Sequence, residues 1–386
     1  MKRIYIFALL IFFAFGSMAF ASGTDCTNGC YVSEGGISSV AVGASAGSNN
    51  AVGDVLTISG GDGTAKVTVL AVNSGAVTSV GTRTALSKNS LAAVPYVNVP
   101  NIAYPSGTGY STASNVATTS SNGGATPPSL NVTVNMAQGN DSTGTGSSGS
   151  PWKTINHAVT NISSTSTNPQ QIYVKSGYYS EAASISNGPA GGTINLWLDP
   201  GVFIQPSGAN TCVLRALNNN TTINVYGQYT GSGSSATPSP SWPKTSWISI
   251  VGAGGTAGVP FFFVSSGTGC VFTIYDTNFF GTGLTGSTCE VLYQGAGANL
   301  GLYRNYIFDV LAPSPRTDIS GVGPGTLYLV SNYIRNCDPF RNEINGGVSA
   351  SIYAWNNTWY DDLSGWTNGN NPRYTAFSIN PTVTTG

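Results

Sequence analysis

Short apolar runs begin near Ile172, Ile194, Ile223, Ile248, Phe272, Leu300, Leu327 and Ile352, a recurrence of roughly 25 residues, which is a solenoid's period. A short strand cannot bury its apolar face alone, but a strand that returns at this period can bury it against its neighbours. The last four repeats align without gaps on Asn278, Asn305, Asn332 and Asn357. Counting back three residues from the last three asparagines gives Leu302, Leu329 and Ala354, and counting forward two gives Ile307, Ile334 and Trp359. These positions are expected to point inward. Phe272 lies one residue further from its asparagine than the other strand starts do. The four asparagines are expected at one corner, in a left-handed backbone, with their amides stacked in a ladder at about 4.8 Å per rung. That column reads as structural.

The chain opens with Lys2-Arg3, an apolar run from Ile4 to Phe15, and small residues, Ala19 and Ala21, at the −3 and −1 positions of a cut after Ala21. The run is shorter than the roughly 20 residues that span a bilayer, so residues 1–21 read as a secretory signal peptide cut after Ala21. Its removal takes 14 basic side chains to 12 against 15 acidic ones. With no cluster of Lys or Arg, nothing draws the chain to nucleic acid. Six cysteines all follow the signal, an even number that suits an oxidising compartment, and Cys26 and Cys30 are close enough to pair. One histidine and no paired cysteine spacing argue against a metal site, and no cofactor motif is present.

Residues 22–50 are rich in Gly, Ser and Ala and read as a flexible segment. Residues 51–82 alternate apolar and polar in three runs separated by Gly60-Gly61 and Asn73-Ser74-Gly75, which predicts a small β-meander. This unit resembles short modules that recur in phage tail-fibre and other virion proteins. Residues 83–130 are interrupted by five prolines and read as a linker. In the remaining 131–386, Trp152, Ile155, Val159 and Ile162 fall at helical spacing, with Pro151 suited to the first turn and Ser150 expected to cap it, predicting one helix laid over the first rung.

The segment Gly139-Asn140-Asp141-Ser142-Thr143-Gly144, then Pro151-Trp152-Lys153-Thr154-Ile155, then Gln171-Ile172-Tyr173-Val174 through Glu181 resembles the opening of pectate-lyase-like domains. Those domains are right-handed parallel β-helices found in secreted polysaccharide-active proteins and phage tailspikes. The resemblance implies an all-β chain, a right-handed parallel β-helix with an N-terminal capping helix, preceded by the β-meander.

Outward positions of the repeats carry Tyr275, Tyr303, Val330 and Trp355 in one column and Phe279, Tyr306 and Tyr333 in another. Outward aromatics suit stacking on sugar rings, subunit contacts or ordinary surface packing. Arg304, Arg335 and Arg341 are placed to neutralise an acidic sugar, and Glu343 to act as a base. Asp309, Asp338 and Asp361 follow the corners; two rungs would set Asp309 and Asp361 about 9.6 Å apart, near the upper limit for an inverting pair. Asp338 and Asp361, one rung apart, are on the scale of a retaining pair. Such carboxylates also commonly cap backbone amides, and the calcium and arginine signatures of secreted pectate lyases are missing.

Three readings follow. The first is a tailspike- or tail-fibre-like adhesin, exported to a cell surface or virion, attached through its N-terminal region, assembled as a homotrimer, and binding surface polysaccharide on the outer face of the β-helix. The second is a secreted polysaccharide lyase or glycosidase using Asp309, Asp338 and Asp361. The third is a passive surface protein.

Overall fold

A computed structural model describes residues 23–84, 97–100, 106–162, 168–181, 183–185, 192–206, 214–216, 220–240, 244–249, 260–264, 270–280, 289–294, 299–308, 317–321, 326–335, 340–344, 351–360 and 377–381. The chain is all-β with one short α-helix among the described residues. Three long parallel sheets dominate it, of eight, seven and seven strands. The chain visits them in rotation, and each pass adds one strand to each sheet. The first pass contributes Gln170–Val174, Gly177–Glu181 and Ala183–Ile185, and the seventh Ser351–Trp355, Thr358–Tyr360 and Phe377–Pro381. For the third sheet only the backbone is described.

Register explains the core. In the first sheet Ile172, Leu196, Val225, Ile274, Leu302, Leu329 and Ala354 are successive partners. In the second, Tyr179, Ile204, Ile248, Phe279, Ile307 and Ile334 are. Successive side chains on a strand face opposite ways, so each column sends one apolar residue per pass to the same side. Together the columns, from Ile172 and Tyr179 to Leu329 and Ile334, form one continuous buried cluster. Ala354, in the last pass, is exposed at the end of its column.

One repeat differs from its sequence reading. Ile248 does not begin a pass: it lies in the second sheet beside Ile204 and Phe279, and Ile223 pairs directly with Phe272. The span from Ile223 to Phe272 is therefore a single enlarged pass, and it carries an antiparallel hairpin, Tyr229–Thr230 with Thr237–Pro238.

The N-terminal segments also differ. Residues 22–50 are not loose, because Cys30–Val32 is the outermost strand of the first parallel sheet, pairing with Ile172–Val174, and Cys26 is bonded to Cys30. The chain then leaves that sheet to build an antiparallel module and returns through Trp152, which bridges Val32. The meander is present as Val55–Ile58, Lys66–Asn73 and Ala76–Thr84, turned at Ser74 and Gly75 with φ of 49° and 82°, the geometry two-residue hairpins favour. The described parts of the stretch 83–130 are not a tether either: Val97–Pro100, Ala113–Val116 and Thr118–Ser120 all pair into the module. Leu56, Ile58, Val67, Val69, Val80 and Leu130 close a second core.

The Asn140–Thr154 motif is a structural lock. Asp141 Oδ1 accepts from the amides of Lys153 (2.7 Å) and Thr154 (3.1 Å), and Trp152 Nε1 donates to Gly144 O at 3.1 Å. The helix α1 runs Ile155–Asn161, and Thr154, rather than the expected Ser150, caps it by accepting from His157 N. Ile155, Ala158 and Val159 are buried in the main core. Glu181, from the second sheet, accepts from Ile155 N at 2.7 Å and Asn156 N at 3.0 Å. Burial pushes its carboxyl up to about 7, against the pull of those two amides.

Candidate functional site, an aromatic ridge

The corner between the first and second sheets sets which residues reach the outer face. Its left-handed residues are Asp276, Arg304, Ser331 and Asn356, all at φ of 55–56°. Asn305, Asn332 and Asn357 directly follow the last three, and Asn278 lies two past Asp276, so the expected left-handed position is corrected by one residue, and by two at Asn278. Asn305, Asn332 and Asn357 form the ladder: Asn305 N donates to Asn332 Oδ1 and Asn332 N to Asn357 Oδ1, each at 2.9 Å. Their side-chain amides donate back to Ile274 O, Leu302 O and Leu329 O at 2.8–2.9 Å. Asn278 is outside this ladder. Thr277 takes the equivalent place, donating its amide to Asn305 Oδ1 at 3.0 Å, while Asn278 pairs with Tyr306 and donates to Lys244 O and Ser246 O.

That one-residue offset takes Phe279 out of the second predicted aromatic column, while Tyr306 and Tyr333 remain paired. Phe279 is inward and fully buried, level with Ile307. Tyr306 is only 2% exposed, packed with Phe203 and Trp247, and Tyr333 lies against the same cluster. Tyr306 is therefore not a ligand-facing ring.

The first column does face outward, and it is longer than expected. In register, Tyr31, Tyr173, Trp197, Tyr226, Tyr275 and Tyr303 follow one another on the outer face of the first sheet. Trp197 and Tyr226 stack at 4.1 Å, Tyr226 and Tyr275 at 5.0 Å, and Tyr275 and Tyr303 at 4.8 Å, with interplanar angles of 11–18°. Val330 interrupts the column next. The ridge continues because it changes column: Gly301 has no side chain, and a Cβ there would lie 2.4 Å from Tyr303 Cε2. Tyr303 leans over that glycine to face Tyr328 at 6.5 Å, and Tyr328 stacks on Tyr353 at 5.2 Å. Trp355 closes the row, edge-on to Tyr328 and Tyr353 at 90° and 81°.

A polar column runs beside the aromatic one. Asn195 Nδ2 donates to Gln171 Oε1 at 3.2 Å, Asn224 Nδ2 to Asn195 Oδ1 at 2.9 Å, and the Thr273 hydroxyl to Asn224 Oδ1. The ladder uses one N–H of each of these asparagine amides, which carry two.

Exposure along the ridge is graded. At the first passes Tyr173 and Trp197 are 1% and 3% exposed, beneath the 229–238 hairpin, with Tyr229 packed against both rings and the Tyr173 hydroxyl donating to Gly233 O. Tyr226, Tyr275, Tyr303 and Tyr328 are half-buried, and Tyr353 and Trp355 are 48% and 46% exposed. Burial raises the Tyr226 hydroxyl to about 12, with Tyr275 adding to it, and raises Tyr303 for the same reasons. These hydroxyls stay protonated at neutral pH and can both donate and accept.

Charge near the ridge is paired. Lys175 meets Asp199 at 3.1 Å, and Arg304 grips the fully buried Asp276 through Nε and Nη2 at 3.0 and 2.8 Å, with Lys244 on the same carboxylate. Those bonds raise the pKa of Arg304 and commit it to the corner rather than to an acidic ligand. No protein family, curated protein or solved structure matches the chain. Asp309, Asp338 and Asp361 lie outside the described residues, as do the side chains of Arg335, Arg341 and Glu343. Among the described residues no group of three or more His, Cys, Asp or Glu could hold a metal ion. Tyr328 and Tyr353 were missed by sequence reasoning, which followed a single outward column on these strands; the signal was a glycine opposite two tyrosines two residues before Val330 and Trp355.

Proposed function

We propose that the three parallel sheets form a right-handed parallel β-helix, capped at its first turn by α1, and that the chain is an exported, tailspike- or tail-fibre-like adhesin that binds surface polysaccharide along the aromatic ridge. The rotation of the chain through the three sheets supports the architecture, and parallel crossovers are right-handed in nearly all proteins. The short helix, with Ile155, Ala158 and Val159 buried in the core beside the first strands, supports the cap. Export is supported by the N-terminal apolar run and by the Cys26–Cys30 bond. The antiparallel module would serve for attachment, and three chains would assemble as a spike.

The observation that carries the binding function is the ridge itself: a row of stacked rings and an amide column on one outer face, opening toward the last pass. Rings on an outer face are not needed to fill the core, and tyrosine joins an apolar body to a hydrogen-bonding tip. Affinity electrophoresis of the mature chain through gels containing different polysaccharides tests the function. Retardation by at least one is expected; migration unchanged in every gel would overturn the reading. Light scattering after size exclusion tests the trimer.

A further inference from the structure

Stacking consumes ring faces. From Trp197 to Tyr303 each ring of the ridge lies face to face with the next at 4.1–5.0 Å, so this stretch presents ring edges and hydroxyls outward. Trp355 is different. Its contacts with Tyr328 and Tyr353 are perpendicular, and its neighbour in the column, on the preceding pass, is Val330 rather than a ring. It is 46% exposed, beside the 48% exposed Tyr353. The described side chains around the pair, Tyr328, Val330, Ser331, Ala354 and Asn356, carry no charge.

We infer that Tyr353 and Trp355 form the anchoring subsite of the ridge, and that it takes an uncharged sugar ring. The inference rests on the polysaccharide-binding reading above. A pyranose presents a face of C–H groups to an aromatic face, a contact that needs at least one ring face not already covered by another ring; the last pass supplies it. An acidic sugar would require an uncommitted cation, and the described cations of this face, Lys175 and Arg304, are held by Asp199 and Asp276. The stacked tyrosines below the anchor then offer hydroxyl edges at the spacing of the passes, so a linear glycan would lie along the ridge from its open end.

The test uses the mature chain in gels containing dextran, galactomannan, mixed-linkage β-glucan, polygalacturonate or alginate. Retardation by a neutral polysaccharide is expected, weakened roughly ten-fold by Trp355→Ala and by Tyr353→Ala. Lys66→Gln, exposed on the antiparallel module and outside the ridge, should bind as the parent does. Thermal unfolding of each variant shows that it is folded, and the two anchor variants check one another. Parent-like binding by both anchor variants overturns the anchor while leaving polysaccharide binding intact. Retardation by the acidic polymers alone overturns the uncharged ligand. Retardation by none removes the anchor together with the reading beneath it, and a trimer that dissociates in Trp355→Ala would reassign the pair to a subunit contact.

Discussion

Replacing Asn332 with alanine tests the corner on which the outer face depends. The side chain is 1% exposed, accepts from Asn305 N at 2.9 Å, and donates to Leu302 O at 2.9 Å and Asn357 Oδ1 at 3.0 Å. Alanine leaves a buried backbone N–H and a buried carbonyl without these partners. Each orphaned group costs about 1–3 kcal/mol, the carbonyl less because its second lone pair can be satisfied elsewhere, so a loss of about 3 kcal/mol is expected. Asn278→Ala is the internal comparison. Among the described residues Asn278 only donates, to Lys244 O and Ser246 O, so its removal orphans no described amide and should cost about 1–2 kcal/mol. Urea unfolding followed by circular dichroism reads both. Because stacked repeats need not unfold in one step, hydrogen exchange over the 299–335 stretch should accompany it, with faster exchange at Asn305 N in the Asn332 variant alone. A loss below about 0.5 kcal/mol, or equal losses in the two variants, would refute a ladder made of Asn305, Asn332 and Asn357 with Asn278 outside it.

Glu181 sets a pH dependence: its carboxyl is raised from 4.5 to about 7, so its contribution to stability is fully present below about pH 4.5 and is lost as pH rises through 7. That window corresponds to about 3 kcal/mol; Glu181→Gln should flatten it in denaturation curves taken from pH 4 to 8, leaving only the part in the same direction from Glu34, which burial also raises. Gly301→Ala should push Tyr303 off its seat and uncouple Tyr275 from Tyr328, at about 1 kcal/mol, and an unchanged near-ultraviolet dichroism spectrum would contradict the column change. Replacing Cys26 and Cys30 by serine opens a short loop on the edge strand of the first sheet and should cost about 2 kcal/mol, read by thermal unfolding with and without reductant.

Much of the parallel architecture was legible because it is periodic. Leu302, Leu329, Ile307 and Ile334 repeat at the pitch of one pass, and residues that recur at one pitch meet in one core whatever the loops do. Tyr275, Tyr303 and Trp355 were legible as outward for the same reason. Ile248 misled because a strand of the second sheet has the same apolar signature as a strand of the first, and the enlarged pass from Ile223 to Phe272 divides into two apparent repeats of ordinary length. The signal for Asn278 was visible, since Phe272 stands one residue further from it than its counterparts do, but an ungapped alignment weighs a shared asparagine above a shift of one position. On a strand such a shift reverses the face, and so Phe279 went to the wrong side; Tyr306 does face away from the main core, level with Tyr333, but is buried in a separate cluster with Phe203 and Trp247.

The order of residues by itself determined the repeat and most of its inward positions, which recur at one pitch, and the helix behind Pro151 and the closeness of Cys26 to Cys30, which depend on near neighbours in the chain. Only the tertiary structure decided that Cys30–Val32 joins Ile172–Val174, with the antiparallel module inserted between them, that the described strands of the proline-bearing stretch pair into that module, and that the ridge crosses columns at Gly301. Those outcomes are contacts between segments remote along the chain, chosen by which surfaces are left uncovered once the local pieces exist, and no local pattern encodes that choice.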